Sequence, residues 1–494
     1  MMYYPCKEEF IELSKKGNLI PVYRDILTDF ETPLSAFTKI DKGDYSFLLE
    51  SVEGGERLAR YSILGSDPSL VFSSKLGKIT LTEGNISSSF TSKDPINELK
   101  KILNRYKFVD VKGLPRFSGG LVGFFGYDMV RFIEKLPDKN PDDLHLPDCV
   151  FMLTDMLLIF DHVDHKIKII SNVHVDGDPV LAYDKAVKRI EKIAGYLKGP
   201  MPDVNYAGPP RKRQHPGFLK SNVTKAQFET MVKKAKKHIE SGDIIQTVLS
   251  QRLKLSIDCH PFHVYRALRS INPSPYMYYL KLKDFFLVGS SPEIMVRCEN
   301  GVAEVRPIAG TRPRGSSGAE DEALIKDLLA DPKETSEHIM LVDLGRNDIG
   351  RVCEFKTIKV SELMTIEKYS HVMHIVSDVS GTLQKDKDAF DLFRATFPAG
   401  TVTGAPKVRA MEIIEEMENL RRGPYAGSVG YFSFSGNLDT CITIRTIIIK
   451  DKTAYIQVGA GLVADSNPEK EFEETMNKAK ALLKAIEMAE RGLE

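Results

Sequence analysis

The stretch Tyr455-Ile456-Gln457-Val458-Gly459-Ala460-Gly461-Leu462-Val463-Ala464-Asp465-Ser466-Asn467-Pro468-Glu469-Lys470-Glu471-Phe472-Glu473-Glu474 joins a strand signal to a helix signal. Tyr455 to Val458 is an apolar run that ends in glycines, and Asn467 followed by Pro468 is a good N-cap before a residue suited to the first helical turn. Gly459-Ala460-Gly461 reads as a loop whose backbone N–H groups no side chain obstructs, the usual means of holding an anion. Glu471 and Glu474, three residues apart, share one face of the helix that follows.

A second such pair stands upstream. In Asp331-Pro332-Lys333-Glu334-Thr335-Ser336-Glu337-His338, a proline near a helix start again puts two carboxylates, Glu334 and Glu337, about one turn apart. Acids in a first turn already complement the helix dipole. An acidic helix beside an anion cradle, however, makes electrostatic sense with a cation between them. Magnesium suits hard oxygen donors and keeps waters and substrate oxygens in its shell, so few protein carboxylates are needed. The two pairs are therefore candidates for one shared divalent cation.

Around these segments the strand-like runs come in blocks. Gln246 to Leu255, Tyr276 to Leu280, Phe285 to Val288, Ser428 to Phe434, Cys441 to Ile449 and Ala454 to Val458 read as strands. Thr224 with Gln227 forms a capping box that opens a helix over 225–241, and a further helix is read over Val408 to Leu420. Earlier, short alternating runs at Tyr45 to Leu49, Ile79 to Leu81 and Lys166 to Ile170 indicate antiparallel sheet, and the glycines of Phe117 to Tyr127 a bent strand in close backbone contact. Blocks of strands and helices favour an α+β fold over a doubly wound sheet. Residues 199–217, with five prolines and an Arg-Lys-Arg cluster, read as a linker between residues 1–198 and 218–494.

The 494 residues carry 42% apolar and 28% charged side chains, enough for a large core and two domains. Lys plus Arg and Asp plus Glu both number 68, so no overall field favours nucleic acid or an anionic membrane. Apolar runs are too short for a membrane helix, and the N-terminus lacks a secretory pattern, so a cytoplasmic protein is expected. Six scattered cysteines suggest neither disulfides nor zinc. None sits in a glycine-flanked nucleophile turn with a downstream His and Glu, so the chain carries no glutaminase of its own.

Two more glycine-bearing loops supply polar groups: Pro398 to Lys407, with Thr401, Thr403 and Lys407, and Pro307 to Gly315. Together with Arg445, on a strand rich in Ile and Thr, they describe a pocket for a small molecule bearing more than one carboxylate. His371 and His374 would face opposite sides of a strand, so at most one meets the pocket.

Taken in order, PIAGTRPRG, SEHIMLVDLGRND, YSHVMHIVS, FPAGTVTGAPK, the segment around Arg445, and GAG followed by NPEKEFEET resemble the chorismate-utilising enzymes, over nearly everything after the linker. The resemblance implies two large antiparallel sheets packed as a sandwich with helices outside, the two segments interweaving so that 199–217 serves as linker or crossover. It is closest in pattern to the anthranilate-forming branch, whose larger subunit makes anthranilate and pyruvate from chorismate and ammonia with Mg²⁺. Aminodeoxychorismate synthases typically carry a lysine where this chain has Ala309, and isochorismate and salicylate synthases a lysine base where it has Gln246. An aminodeoxychorismate-forming enzyme, since some lack that lysine, and a catalytically silent tryptophan-sensing subunit are the alternatives.

By the same resemblance Glu337 and Glu474 would ligand magnesium, with Glu334 and Glu471 holding its waters. Glu293 would protonate the departing C4 hydroxyl, and His374 with Thr401 would assist loss of pyruvate. Tyr425, Arg445 and Gly459, Ala460 and Gly461 would hold the enolpyruvyl carboxylate, with Gly310 and Thr311 on the ring side and Lys478 a further contact. Ser51 in the first segment and Pro275, Tyr276 and Met277 in the second match a tryptophan feedback site. That makes 1–198 a regulatory domain and 218–494 the chorismate-binding catalytic domain. A glutamine amidotransferase subunit would supply the ammonia.

Overall fold

The computed structural model describes residues 2–52, 60–202, 219–369 and 372–493. Most of the proline-rich segment 199–217, and His371, lie outside the described residues.

Among the described residues two antiparallel sheets of twelve strands each form the frame, eleven in a continuous order and one beside it: Gly404–Ala405 pairs with Gln246–Ser256 in the first, and Lys359–Lys368 with Val372–Thr382 in the second. In the first, the order runs Leu19–Leu27, Lys166–His174, Met156–Asp161, Tyr61–Ser66, Tyr45–Glu50, Tyr276–Leu282, Phe285–Ser291, Thr446–Lys450, Thr453–Leu462, Gln246–Ser256 and Lys220–Ser221. In the second it runs Ile308–Pro313, Val372–Thr382, Val302–Val305, Ile294–Glu299, Leu438–Ile442, Ser428–Ser433, Gly120–Phe125, Cys149–Thr154, Leu70–Lys75, Lys78–Glu83 and Ile86–Thr91. Residues before and after the proline-rich segment meet inside both sheets: Tyr45–Glu50 pairs with Tyr276–Leu282, and Gly120–Phe125 with Ser428–Ser433.

Period-two alternation explains why the sheets stack. Every residue of Gly120–Phe125 is buried. Val122 and Phe124 enter the core between the sheets, whereas Leu121 and Phe125 enter a second core that includes Phe390, Phe393 and Phe397. The helix Ala389–Thr396 supplies much of that outer layer, so the sandwich carries helices outside, as expected. Gly123 is required there: a Cβ would stand 1.9 Å from the Val150 carbonyl oxygen of the neighbouring strand.

Local signals set the helices. Thr224 and Gln227 cap each other reciprocally and open the helix Lys225–Glu240. Asn467 accepts from the N–H groups of Glu469 and Lys470 and opens Pro468–Glu490. Asp331 caps Pro332–Gly350. No described helix is long and apolar enough to cross a membrane.

Two segments beside the site depart from the sequence reading in ways that shape it. The run Cys441 to Ile449 is not one strand: Leu438–Ile442 belongs to the second sheet and Thr446–Lys450 to the first. The chain changes sheet at 443–445, with Arg445 in the left-handed region at φ +50°. Both halves are apolar, so periodicity cannot reveal the break. Gly459-Ala460-Gly461 is likewise no loop, because it continues the strand Thr453–Leu462 in register with Ser250, Leu249 and Val248.

Candidate active site

The sheet change at 443–445 creates the site. Thr446–Lys450 covers one edge of Thr453–Leu462 only as far as Ile456, and beyond that point the edge is left open. Val248 N–H donates to Thr403 O and Ser250 N–H to Glu418, so neither bonds to the glycine strand. Gly459 O in turn accepts from Lys478 Nζ at 3.0 Å. A strand residue's N–H and C=O point to the same side, so Gly459 and Gly461 turn their N–H groups toward the open edge, while Ala460 faces the ladder.

A cavity of about 420 Å³ fills this gap, between the glycine strand and the bulged strand Ile308–Pro313. Glu293, Thr311, His374, Thr401, Tyr425, Arg445, Gly459, Gly461 and Lys478 all line it. The side chain of Ala460 packs instead into a small core with Phe228 and Leu249. Gly310 sits at the bulge with φ +69°, its carbonyl 3.0 Å from His374 Nδ1. It holds the histidine and does not line the cavity.

Of the loop Pro398 to Lys407, only the early residues reach the cavity. Thr403 turns its hydroxyl back to Ala399 O, and Lys407 is committed to Asp348 at 2.6 Å. The segment Pro307 to Gly315 is strand and not loop; its Arg312 is tied to Asp327, Asp331 and Glu334.

The electrostatics follow from burial. Burial pushes the Glu293 carboxyl up to about 7, against the opposing pull of the Thr401 hydroxyl and the Lys478 ammonium. His374 is pulled below its ordinary value by burial and by Arg445. Because a carbonyl can only accept, the bond to Gly310 O puts the proton on Nδ1 and leaves Nε2 as the basic nitrogen. Burial also pulls Arg445 down, and its Nη1 donates to Lys478 O at 3.1 Å. Among the described residues no carboxylate lies within ion-pair distance of that guanidinium.

Beneath the cavity lies a buried pair the sequence did not single out. Arg422, 2% exposed, donates to both oxygens of Glu418 and to the carbonyls of Val402 and Val248. It sits 5.5 Å from the centre of the Tyr425 ring and so fixes a wall of the site. An Arg–Glu pair four apart ordinarily reads as a surface helix pair, so only its setting could have revealed it.

The four acids stand at the margin of this cavity. Glu337 Oε1 accepts from Gln246 Nε2 at 2.8 Å, and its pKa is raised by burial and by the charges of Glu334 and Glu474. Glu471 is raised by burial and by Glu474. Carboxylates from two distant helices thus repel one another across a shared space. Lys478 pairs with Glu474 at 2.7 Å. Among the described residues no three acidic, histidine or cysteine side chains converge into a ready-made metal cage. Two carboxylates, with water and substrate oxygens completing the shell, make a donor set of the kind a hard cation accepts.

A second cavity, about 390 Å³, lies on the far side of Pro275, which lines both. It gathers Ser51, Pro275, Tyr276 and Met277 with Arg116, Arg297 and Asp439.

The chain belongs to the chorismate binding enzyme family, whose model matches residues 45–484. Its relatives narrow the placement to the anthranilate synthase component 1 group. It is 52% identical to anthranilate synthase component 1 of Acetivibrio thermocellus over 99% of each chain. With the protein of the same name from Aquifex aeolicus it shares 49%, over 99% of this chain and 98% of that one. The crystal structure of anthranilate synthase component I from Streptococcus pneumoniae TIGR4 superposes with a TM-score of 0.76 at 37% identity, covering 92% of this chain and 98% of that one.

Proposed function

We propose that the protein converts chorismate and ammonia to anthranilate and pyruvate, taking its ammonia from a glutamine amidotransferase subunit and answering to tryptophan. The observation that carries the reading is the pairing, in one cavity, of an ion-unpaired buried Arg445 with a Glu293 carboxyl whose pKa is raised to about 7.

Chorismate carries two carboxylates. Arg445, Tyr425 and the N–H groups of Gly459 and Gly461 form a cradle for the enolpyruvyl carboxylate, where the guanidinium gains the counter-ion it lacks. Glu293, with its pKa raised to about 7 and so increasingly protonated as pH falls below neutrality, gives its proton to the C4 hydroxyl as that group leaves and nitrogen bonds to C2. His374 Nε2, with Thr401 lining the same cavity, would take the C2 proton when pyruvate departs and the ring becomes aromatic. Mg²⁺, bound through Glu337 and Glu474 with Glu334 and Glu471 behind its waters, would supply a Lewis acid for the ring carboxylate. Without a cation these acids would repel the same substrate; burial first, and neighbouring carboxylates second, already raise Glu337 and Glu471.

Tryptophan binding is assigned to the second cavity. There the Ser51 hydroxyl is buried without a hydrogen-bond partner among the described residues and can meet an amino acid's polar end, while Met277 and Tyr276 offer apolar surface.

Incubating the chain with chorismate, an ammonium salt and Mg²⁺ tests the reading by product identity. Anthranilate and pyruvate in equal amounts are expected; isochorismate or a 4-amino product would overturn it.

A further inference from the structure

His374 lies in a strand flanked on both sides. Thr311 is its partner across one ladder and Glu367 across the other. Residues directly opposite in a ladder share a face, so these three side chains stand on one side of the sheet. Met373 and Ile375, pointing the other way, enter a small core with Leu328. Thr311 Oγ1 and Gly310 O gather at His374 Nδ1. The Glu367 carboxylate turns to two other groups: the Tyr369 hydroxyl donates to Oε2 at 2.8 Å, and Arg306 Nη2 donates to Oε1.

Tyr369 connects this pair to the histidine. Its ring meets the imidazole edge-on, with 5.6 Å between centres and 62° between planes, and its N–H donates to Val372 O at 2.8 Å. It lines the catalytic cavity beside His374 and also an adjoining cavity of about 420 Å³, where Arg306 and Glu367 lie. The Arg306 and Glu367 side chains are 19% and 31% exposed, so their pairing contributes little to stability. What it does is hold one negative charge beside a base.

That charge has a use in the second half of the reaction. The C2–H bond breaks, its proton going to His374 Nε2 and its electron pair completing the aromatic ring. The C3–O bond breaks with its pair on the enolpyruvate oxygen, and the enolate takes up one proton to become pyruvate, so protons balance. Between the two transfers the imidazole is a cation, which a neighbouring carboxylate stabilises. Burial holds His374 below its ordinary value and Arg445 acts the same way, while the bond to Gly310 O and the Glu367 charge act against them. Once a substrate carboxylate answers Arg445, the Glu367 charge is left to favour the imidazolium. We infer that Glu367, held by Arg306 and Tyr369, is a positioning residue for the His374 step: its carboxylate steadies the imidazolium while the Tyr369 ring fixes the imidazole plane.

The inference rests on the proposed reaction, and the test separates the two. Pyruvate release is followed from chorismate and from chorismate deuterated at C2, with the full chain and its E367Q, Y369F and Y369A variants, circular dichroism serving as the check of folding. E367Q keeps an acceptor for the tyrosine hydroxyl and removes the charge. It is expected to slow pyruvate release about tenfold, with half-saturating chorismate within about threefold of the unsubstituted value and a larger C2 deuterium effect. The aminated ring that still carries its enolpyruvyl group should then appear in solution by mass spectrometry. Y369F, which keeps the ring but unties it from Glu367, should show the same signature in weaker form, and Y369A in stronger form than Y369F. Y369F removes a single oxygen, so it decides the matter if E367Q does not fold. Pyruvate release at the unsubstituted rate in E367Q and Y369F would overturn the inference. So would a loss of rate with neither a larger isotope effect nor release of the aminated ring, the mark of residues that only support the strand. An unsubstituted chain that forms no anthranilate would instead sink the functional reading beneath it.

Discussion

The two cavities on either side of Pro275 are nearly equal in size and opposite in electrostatics. Around the Ser51 cavity the strong charges of the described residues are answered by the protein itself. Asp439 holds Tyr276 Oη at 2.8 Å, Arg116 at 3.2 Å and Arg297 at 3.3 Å, and Glu50 holds Tyr265 Oη at 2.6 Å and Arg269 at 2.9 Å. In the Glu293 cavity the charges are only partly answered: Lys478 pairs with Glu474, but among the described residues Arg445 has only a carbonyl, Glu293 is pushed toward its neutral form, and Glu337 feels the repulsion of Glu334 and Glu474. A site whose charges are already paired can bind a small ligand by shape and a few hydrogen bonds. One held short of its counter-ions favours the charged partner it lacks, and can spend that attraction on a transition state. Pro275 lines both cavities and is the wall they share.

The contrast can be broken experimentally, and the largest effect belongs to the acidic wall. Glu337→Gln removes one of the two proposed cation ligands and is expected to lower kcat by roughly 1,000-fold or more, while tryptophan binding, measured by calorimetry, persists. Retained turnover would place the cation elsewhere. Next comes Arg445→Met, which leaves a buried cradle without its cation. A loss of roughly 100-fold or more in kcat/KM for chorismate is expected from steady-state kinetics, with tryptophan inhibition unchanged. The smallest effect belongs to the cavity whose charges are paired. Ser51→Ala removes one neutral hydrogen bond, so half-inhibiting tryptophan should rise about tenfold with the uninhibited rate unaltered. A fall in that basal rate would show that the two cavities are not separable.

The same contrast governs what could be read from residues alone. Capping signals such as Thr224 with Gln227 and Asn467 before Pro468 are local, and the helices begin where they say. The alternation that buries Gly120–Phe125 on both faces is local too. The sheet change at 443–445 is not, because a run of Cys, Ile and Thr has the same period whether it continues in one sheet or steps to another. Reading it as one strand placed Arg445 within a ladder, when it sits in a left-handed turn that opens the cavity. Gly459 to Gly461 looked like a loop for the converse reason: glycine is the common loop residue, yet here it keeps a strand edge bare of side chains. The gathering of Glu293, His374, Thr401 and Arg445 could be anticipated only from the resemblance, since no spacing along the chain brings them together. The Arg422–Glu418 pair under Tyr425 escaped altogether, as its burial depends on elements more than a hundred residues away.

The central claim is that the Glu293 cavity runs on a carboxyl kept protonated near neutrality, and the pH dependence of kcat/KM for chorismate, expressed per free ammonia, measures it most directly. The folded carboxyl titrates near 7, so the acid form is present below that value and is lost as pH rises through it; the rate should fall along a limb centred near pH 7. In Glu293→Gln that limb should vanish along with most of the rate. A flat profile in the unsubstituted protein, or the same limb surviving in Glu293→Gln, would contradict the account.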